Sequence, residues 1–193
     1  MKNKTLEFYN TNSKDYTQET LHVNFYTLQE HFLQYVPKDG IILDLGCGSG
    51  RDSKYFLDKG YTVEAMDGSI EMCKIASEVT GIMVQHKLFR ELDVCKRYDA
   101  IWASASLLHC PRCELKDIFS KIHMALKDDG IFYCSFKYGD FEGYRTDRYF
   151  TDMTEESLFA IYNEYFNKVE HWISEDVRSN YTQVWLNVIL KKI

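Results

Sequence analysis

The sequence predicts an α/β fold in which a mostly parallel sheet carries helices on both faces. Strand-like and helix-like segments alternate between residues 41 and 137, a pattern that requires right-handed crossovers between parallel strands. The end of the chain differs, because two strand-like segments near 167–174 and 182–191 follow each other through a short loop. We therefore expect a doubly wound, seven-stranded sheet closed by an antiparallel C-terminal hairpin.

The elements follow from the hydrophobic pattern, in order. Apolar side chains recur at helical spacing from Leu21 through Phe25, Leu28 and Phe32 to Val36, before Pro37, which predicts an amphipathic helix preceded by a polar arm. The later elements are strands at 41–45, 61–66, 82–86, 98–104 and 130–137, and helices at 51–59, 69–79, 112–127 and near 153–164.

Composition excludes several classes of protein. The 193 residues are 45% hydrophobic, which suits one globular domain with a sizeable core. No apolar run approaches the length of a membrane span, and the N-terminus lacks the apolar segment of a signal peptide. A net charge of −6 without a dense basic cluster argues against a nucleic-acid partner. Six cysteines then indicate reduced thiols and a cytoplasmic location.

A glycine-rich turn follows the first strand. The segment 41–52 reads IILDLGCGSGRD, with Asp44 ahead of Gly46, Gly48 and Gly50. Glycines here allow sharp turns and close approach to a ligand, and the following helix start is expected to present unpaired N–H groups. A dinucleotide fingerprint needs glycine where Arg51 stands, and no Gly-Lys-Ser/Thr of a phosphate loop is present. A nucleotide-type cofactor site is the favoured interpretation, and a turn without a ligand is the alternative.

A carboxylate stands at the end of the second strand. Asp67 comes 21 positions after Gly46 and precedes Gly68 and Ser69. An ionised aspartate offers two acceptor oxygens, which suits the vicinal hydroxyls of a ribose. The alternative role is capping of the helix that starts at Ser69, and both roles can coexist.

Together these segments resemble the class I S-adenosylmethionine-dependent methyltransferases. The resemblance rests on the Asp44–Gly50 motif, on Asp67 and on the segment 98–109, and residues 105–112 (ASLLHCPR) resemble a bacterial subgroup that includes tellurite-resistance-related methyltransferases. It implies S-adenosylmethionine as cofactor, with Tyr16 as a lid candidate; the alternative is that the aromatic residues of the arm only anchor it to the sheet. The implied cofactor-binding residues are Asp44, Gly46, Cys47, Gly48, Gly50, Asp67, Gly68, Leu88, Phe89 and Ser104.

One segment departs from the family pattern. Many members carry an acid after the third strand that contacts the adenine, whereas residues 87–90 read KLFR here. Leu88 and Phe89 are therefore expected to wall the adenine, with Asp93 as a weaker substitute for the acid.

His109 is the candidate general base, because it follows the fourth strand and has a suitable pKa range; a helix-capping histidine is the alternative. Lys137, Tyr138 and Arg148 are substrate-site candidates in or next to the aromatic segment 138–152, which is expected to be a long loop. Ordinary solvated ion pairs are the alternative there.

Cys110 and Cys113 form a CxxC pair without a second pair of ligands, so no metal is predicted and coincidence is favoured over a redox role.

The sequence thus predicts a methyltransferase that acts on a nitrogen, oxygen or sulfur atom of a small molecule. We expect one domain over 1–193, with an N-terminal arm and helix (1–37), a cofactor-binding core (38–137) and a substrate loop, helix and closing hairpin (138–193). The chain is expected to be a monomer or homodimer. The alternatives are an NAD(P)-dependent Rossmann oxidoreductase and a non-catalytic methyltransferase-like binding module.

Overall fold

The computed structural model describes residues 3–178 and 181–193. Its main sheet has seven strands in the order β3-β2-β1-β4-β5-β9-β8. Strands β1 to β5 pair in parallel, and β9 pairs antiparallel with both β5 and β8. The predicted mixed sheet with its C-terminal hairpin is confirmed. The strands are β1 (Ile41–Leu45), β2 (Thr62–Asp67), β3 (Gln85–His86), β4 (Tyr98–Ala103), β5 (Leu126–Lys137), β8 (Phe166–Glu175) and β9 (Val184–Lys192).

Helices cover both faces of this sheet. On one face Phe119 and Ile122 pack in the same apolar cluster as Phe132 of β5. On the other face Phe32 and Phe56 lie 4.9 and 5.4 Å from the ring of Trp102 in β4. The helices are α1 (Lys4–Thr11), α2 (Ser13–Thr20), α3 (Tyr26–Leu33), α4 (Arg51–Asp58), α5 (Ile70–Thr80), α6 (Arg112–Ala125) and α7 (Glu155–Tyr162).

The N-terminal arm is helical, which the sequence analysis did not predict. Asn3 begins α1, because its Oδ1 accepts hydrogen bonds from the N–H groups of Thr5 and Leu6 at 3.1 and 3.3 Å, as N-cap residues do. Asn3, a residue type typical of N-caps, is the sequence signal from which the start of α1 could have been predicted. Helix α2 follows after Asn12 and ends at Thr20, so two short helices precede the predicted one.

Two predicted helix boundaries were also wrong. The helix expected from Leu21 to Val36 is only α3, since Asn24 Oδ1 accepts from the Tyr26 N–H at 2.9 Å and the helix starts there. Helix α6 ends at Ala125, because Leu126 is extended, fully buried and paired with Tyr98. Tertiary pairing overrides local helical pattern at this site.

The predicted loop 138–152 contains a small antiparallel hairpin. It consists of β6 (Glu142–Arg145) and β7 (Arg148–Thr151), which pair with Arg145 opposite Arg148. Thr146 turns the chain with a φ of 55°, although neither turn residue is the glycine or asparagine that usually signals such a turn.

Two further observations bear on the earlier expectations. The predicted loop between the last two strands includes residues 179 and 180, which lie outside the described residues. Among the residues described, no helix is long and apolar enough to span a bilayer.

Candidate functional site

The glycine turn lies at the carboxyl end of β1 and is fastened to β2. The N–H groups of Gly46 and Cys47 both donate to the Met66 carbonyl, at 2.8 and 3.1 Å, and the Gly48 N–H donates to Asp67 Oδ2 at 3.0 Å. The expectation that this turn presents unpaired N–H groups was therefore wrong at these three positions. The turn offers a fixed shape rather than a row of free donors.

The three glycines of the turn have different neighbours. A Cβ at Gly46 would lie 2.5 Å from the Ser106 Cβ, and one at Gly50 would lie 2.9 Å from Thr80 Cγ2. A Cβ at Gly48, whose φ is 54°, would meet only the Tyr16 ring edge at 3.9 Å. Gly46 and Gly50 thus allow the turn to pack closely against neighbouring residues, whereas Gly48 faces open space.

Asp67 ends β2 beside that open space. Its Oδ1 accepts from the Ser69 N–H at 2.8 Å, while Oδ2 accepts from Gly48. Burial raises the pKa of Asp67, and the two backbone donors oppose the shift. Ser69, not Asp67, caps α5, since its Oγ accepts from the Met72 N–H at 3.2 Å.

A cavity of about 340 Å³ lies over this turn. Gly46, Cys47, Gly48, Asp67, Gly68, Leu88, Phe89, Ser104 and Tyr16, predicted as cofactor-binding residues, line it together with Asp44, His109 and residues of α1. Gly50 does not line it. Asp93, the substitute acid, lies outside it, with its side chain 74% exposed and paired with Lys87.

Asp44 and Asp52 form a buried acidic pair behind the glycine turn. Asp44 accepts a hydrogen bond from Ser53 Oγ at 2.6 Å, and burial together with the neighbouring Asp52 raises its pKa. Asp52 is buried too, but Arg51 lowers its pKa by binding both carboxylate oxygens at 2.8 and 2.9 Å. Trp102 Nε1 also donates to Asp52 at 2.9 Å. This network fixes the start of α4.

His109 contacts Tyr9 of α1, a residue that the sequence interpretation assigned only to the arm. Because a carbonyl can only accept, His109 Nδ1 donates to the Tyr149 carbonyl at 2.7 Å. Nε2 then accepts from the Tyr9 hydroxyl at 2.8 Å. Burial lowers the pKa of His109 to about 4, aided by the charges of Arg148 and Lys137, so the ring is neutral at pH 7.

A second and larger cavity, of about 1120 Å³, adjoins the first. Aromatic side chains such as Phe8, Tyr133, Phe150, Trp172 and Trp185 line it, and it extends to the strands β8 and β9. The residues that line both cavities are Tyr9, Tyr16, Thr20, Arg51, Ser104, Ala105 and His109.

Ala105 stands where the two cavities meet, with a φ of 50°. A non-glycine residue in this region is strained. The Ala105 N–H donates to Ser135 Oγ at 2.8 Å, and Ser106 Oγ donates to the Leu45 carbonyl at 2.6 Å. The chain after β4 is thereby held tightly against β1 and β5.

The substrate candidates divide between two places. Lys137 and Arg148 line the larger cavity, and both lie close to the Phe150 ring. Tyr138 lines neither cavity: it is 41% exposed, and a hydrogen bond with Glu155 raises its pKa. The structure therefore does not bring Tyr138 to the other candidates.

Cys110 and Cys113 are both free thiols, one buried and one exposed. Burial raises the pKa of Cys110 to about 12, which makes it a poor nucleophile. Within residues 3–178 and 181–193, no group of three or more histidine, cysteine or acidic side chains is arranged to hold a metal ion.

Known methyltransferases share sequence similarity and fold with this chain. A family model described as a methyltransferase domain matches residues 42–130. An uncharacterized methyltransferase of Staphylococcus carnosus is 29% identical over 140 residues, which are 69% of this chain and 66% of that protein. The chain spans only 49% and 36% of two other curated relatives.

Solved methyltransferase structures share the fold. The 1,6-didemethyltoxoflavin-N1-methyltransferase of Burkholderia thailandensis, with bound S-adenosylhomocysteine, superposes with a TM-score of 0.79 at 22% identity, covering 97% of this chain and 86% of that one. TehB of Haemophilus influenzae gives 0.74 at 16% identity, covering 94% and 67%. Residues 42–130 thus match a methyltransferase domain, and the chain has the Rossmann-like fold of the S-adenosylmethionine-dependent methyltransferases.

Proposed function

We propose that the protein transfers the methyl group of S-adenosylmethionine to a nitrogen, oxygen or sulfur atom of a small organic molecule. The observation that carries this proposal is the junction of the two cavities. A cavity over the glycine turn suits the donor, and the larger one, which shares Ser104, Ala105 and His109 with it, suits the acceptor. The methyl group would cross at this junction.

The residues of the smaller cavity fit the donor. Gly48 leaves room where a Cβ would stand, and Asp67 keeps further lone pairs on both carboxylate oxygens for the ribose hydroxyls. Leu88 and Phe89 supply apolar walls for the adenine. Asp44 acts on this site indirectly, because it holds Ser53 and the start of α4.

Arg51 is the cation that we assign to the carboxylate of the donor's methionine part. It lines both cavities, and its guanidinium lies over the Phe25 ring at 3.7 Å. Asp52 engages Nε and Nη2 of this guanidinium, so the Nη1 group remains for a ligand. Sequence reasoning used Arg51 only to exclude a dinucleotide fingerprint.

The bound donor supplies a sulfonium methyl group that is open to in-line displacement by an acceptor lone pair. The protein's part is to align the two molecules and to exclude water. The tight chain after β4 and the rings of Tyr9 and Tyr16, which lie 5.1 Å apart, form the walls where this alignment takes place.

His109 is assigned a positioning role rather than that of the general base. Its Nε2 is occupied by the Tyr9 hydroxyl, and a pKa near 4 is far below the range of an efficient base at neutral pH. The Tyr9 hydroxyl oxygen thus lies at the junction of the two cavities. It contacts His109 Nε2, and Arg148 Nη1 lies 3.4 Å from it. A neutral amine, or an oxygen or sulfur atom that is already ionised, needs no base before the methyl transfer, and a proton left on a methylated amine passes to solvent.

Calorimetry with S-adenosylmethionine and S-adenosylhomocysteine tests the donor half of this proposal, and methyl transfer from labelled donor into a pool of cell metabolites tests the reaction. Binding of both ligands and a labelled product are expected. Folded protein that binds neither ligand would refute the proposal. Binding without any labelled product would favour the non-catalytic module.

The match to a methyltransferase model favours this function over the nicotinamide-dependent oxidoreductase. A fluorescence titration with reduced nicotinamide cofactor separates the two, since no binding is expected.

A further inference from the structure

Two cationic side chains stand side by side in the larger cavity. Lys137 ends β5, and Arg148 begins β7 of the small hairpin. The Lys137 Nζ lies 4.3 Å from the centroid of the Phe150 ring, and the Arg148 guanidinium carbon lies 5.3 Å from the same centroid. Both cations therefore lie close to one aromatic ring of the cavity lining.

Neither cation has an acidic partner within the described part of the chain. The Arg148 Nε is buried without a hydrogen-bond partner, and its Nη1 makes only the long contact with Tyr9. The Lys137 ammonium forms no hydrogen bond or ion pair among residues 3–178 and 181–193, and burial lowers its pKa. Asp152, whose charge acts on Lys137, is bound by Arg145 at 2.8 and 2.5 Å.

The acidic residues that line the same cavity are either paired with other side chains or exposed. Glu170 is bound by His31 and by the Tyr35 hydroxyl. Asp176 is bound by Arg178 through both oxygens, at 2.9 and 2.8 Å. Asp15 and Glu19 lie exposed on α2, and Glu175 lies exposed at the end of β8. None of these acids neutralises the cationic wall at Phe150.

Leaving two neighbouring cations partly buried and unpaired is costly, since each unsatisfied polar group carries a desolvation penalty and like charges repel. A bound anion removes this cost and places a recognition group next to the methyl junction. We propose that the methyl acceptor is an organic anion whose carboxylate or phosphate group binds between Lys137 and Arg148. This proposal rests on the methyltransferase function proposed above.

Two observations connect this anion with the acceptor rather than the donor. Lys137 and Arg148 line only the larger cavity, whereas Arg51 lines both. The volume of about 1120 Å³ matches an acceptor with a substantial organic body. Aromatic walls such as Phe8, Trp172 and Trp185 suit an apolar or planar body attached to the anionic group.

The test compares three probes that share a phenyl ring and differ in charge: benzoate, phenyl phosphate and neutral benzamide. Each is titrated at constant ionic strength into the protein alone and into the protein saturated with S-adenosylhomocysteine. Trp172 and Trp185 in the cavity wall report binding by fluorescence, and calorimetry checks the affinity. At least one anion is expected to bind tenfold or more tightly than benzamide.

Variants assign the binding to the two cations. Lys137→Gln and Arg148→Gln should each weaken anion binding about tenfold or more without changing the affinity for S-adenosylhomocysteine, and Arg148→Lys should retain part of it. Matched controls are Lys116→Gln and Arg97→Gln, which remove charges paired at the surface with Glu164 and Glu64. Thermal melting identifies any variant that fails to fold, and the three wild-type titrations stand without the variants.

Preference for benzoate would identify a carboxylate acceptor, and preference for phenyl phosphate would identify a phosphate. Equal binding of benzamide, or no binding of any probe, would overturn the anion proposal. A loss of S-adenosylhomocysteine affinity in both variants would also overturn it, because the cations would then serve the donor. Failure of S-adenosylhomocysteine to bind wild type refutes the methyltransferase function instead, and the two failures are therefore distinguishable.

Discussion

The two cavities differ in how their polar groups are satisfied. Around the smaller cavity Asp67 and the N–H groups of Gly46, Cys47 and Gly48 already have protein partners. In the larger cavity Lys137 and the Arg148 Nε have none within the described residues. The proposed donor cavity is shaped in advance by its own hydrogen bonds, whereas the proposed acceptor cavity contains cations that are available to a ligand.

The first prediction concerns two glycines of one turn and carries the largest effect. Gly50→Ala should lower the free energy of unfolding by about 3 kcal/mol, because φ is 81° and the Cβ would lie 2.9 Å from Thr80 and 3.1 Å from Ala76. Gly48→Ala should cost about 1 kcal/mol of stability but weaken S-adenosylhomocysteine binding at least tenfold. Denaturant unfolding and calorimetry check the pair, and equal behaviour of the two variants would contradict it.

The second prediction uses the lowered pKa of His109. The unfolded chain takes up a proton near pH 6.5 that the folded protein takes up only near pH 4. Protonation in this window therefore favours unfolding, and the stability that His109 contributes is lost as the pH falls from about 6.5 to 4. The loss should reach about 2 to 3 kcal/mol.

Unfolding of wild type and His109→Gln across this pH range measures the effect, since carboxylates titrate equally in both proteins. The wild type should lose more stability than the variant. Parallel stability curves would show that His109 titrates normally, which would restore it as a candidate base.

The third prediction concerns removal of the Asp67 carboxylate from the donor cavity. Asp67→Ala should weaken S-adenosylhomocysteine binding by about 2 kcal/mol, or roughly 30-fold, because hydrogen bonds to a charged acceptor are lost. Asp93→Asn, at an exposed side chain outside the cavity, is the control. Unchanged affinity in calorimetry would mean that Asp67 only orders the turn before Ser69.

The smallest predicted effect concerns the cover that α1 forms over the donor cavity. Asn10 Oδ1 accepts from Ser69 Oγ at 2.7 Å and from the Glu71 N–H at 3.4 Å. Asn10→Ala should loosen this contact by about 1 kcal/mol and speed dissociation of S-adenosylhomocysteine about fivefold. Stopped-flow displacement measures the rate. Gln18→Ala on the exposed face of α2 is the control, and equal rates would contradict the role of the cover.

The same contrast explains what the sequence could predict. The turn at Gly46–Gly50 and Asp67 belong to consecutive strands whose ends must meet in a parallel sheet. Short segments were therefore sufficient to predict the fold and most of the residues that line the smaller cavity. Tyr9 meets His109 across 100 residues, a contact that no local pattern contains. The β6–β7 hairpin was not predicted, because its turn residues are Thr146 and Asp147 and neither is the glycine or asparagine that usually indicates a turn.

The remaining misassignments have similar physical causes. Tyr138 was grouped with Lys137 by position, yet successive side chains of extended chain point to opposite sides, and Tyr138 faces Glu155 instead. Arg51 was interpreted as a missing glycine, and its place between the two cavities depends on Asp52, Phe25 and the start of α4.

The shared wall formed by Tyr9 and Tyr16 has a consequence for the kinetic order of the reaction. Both residues belong to the pair of helices that cover the donor cavity, and both also border the acceptor cavity. A complete acceptor cavity therefore requires both helices to be in place beside the smaller cavity, so we expect the donor to be bound before the acceptor. Turnover should be compulsory-ordered, with the donor entering first and its demethylated product leaving last.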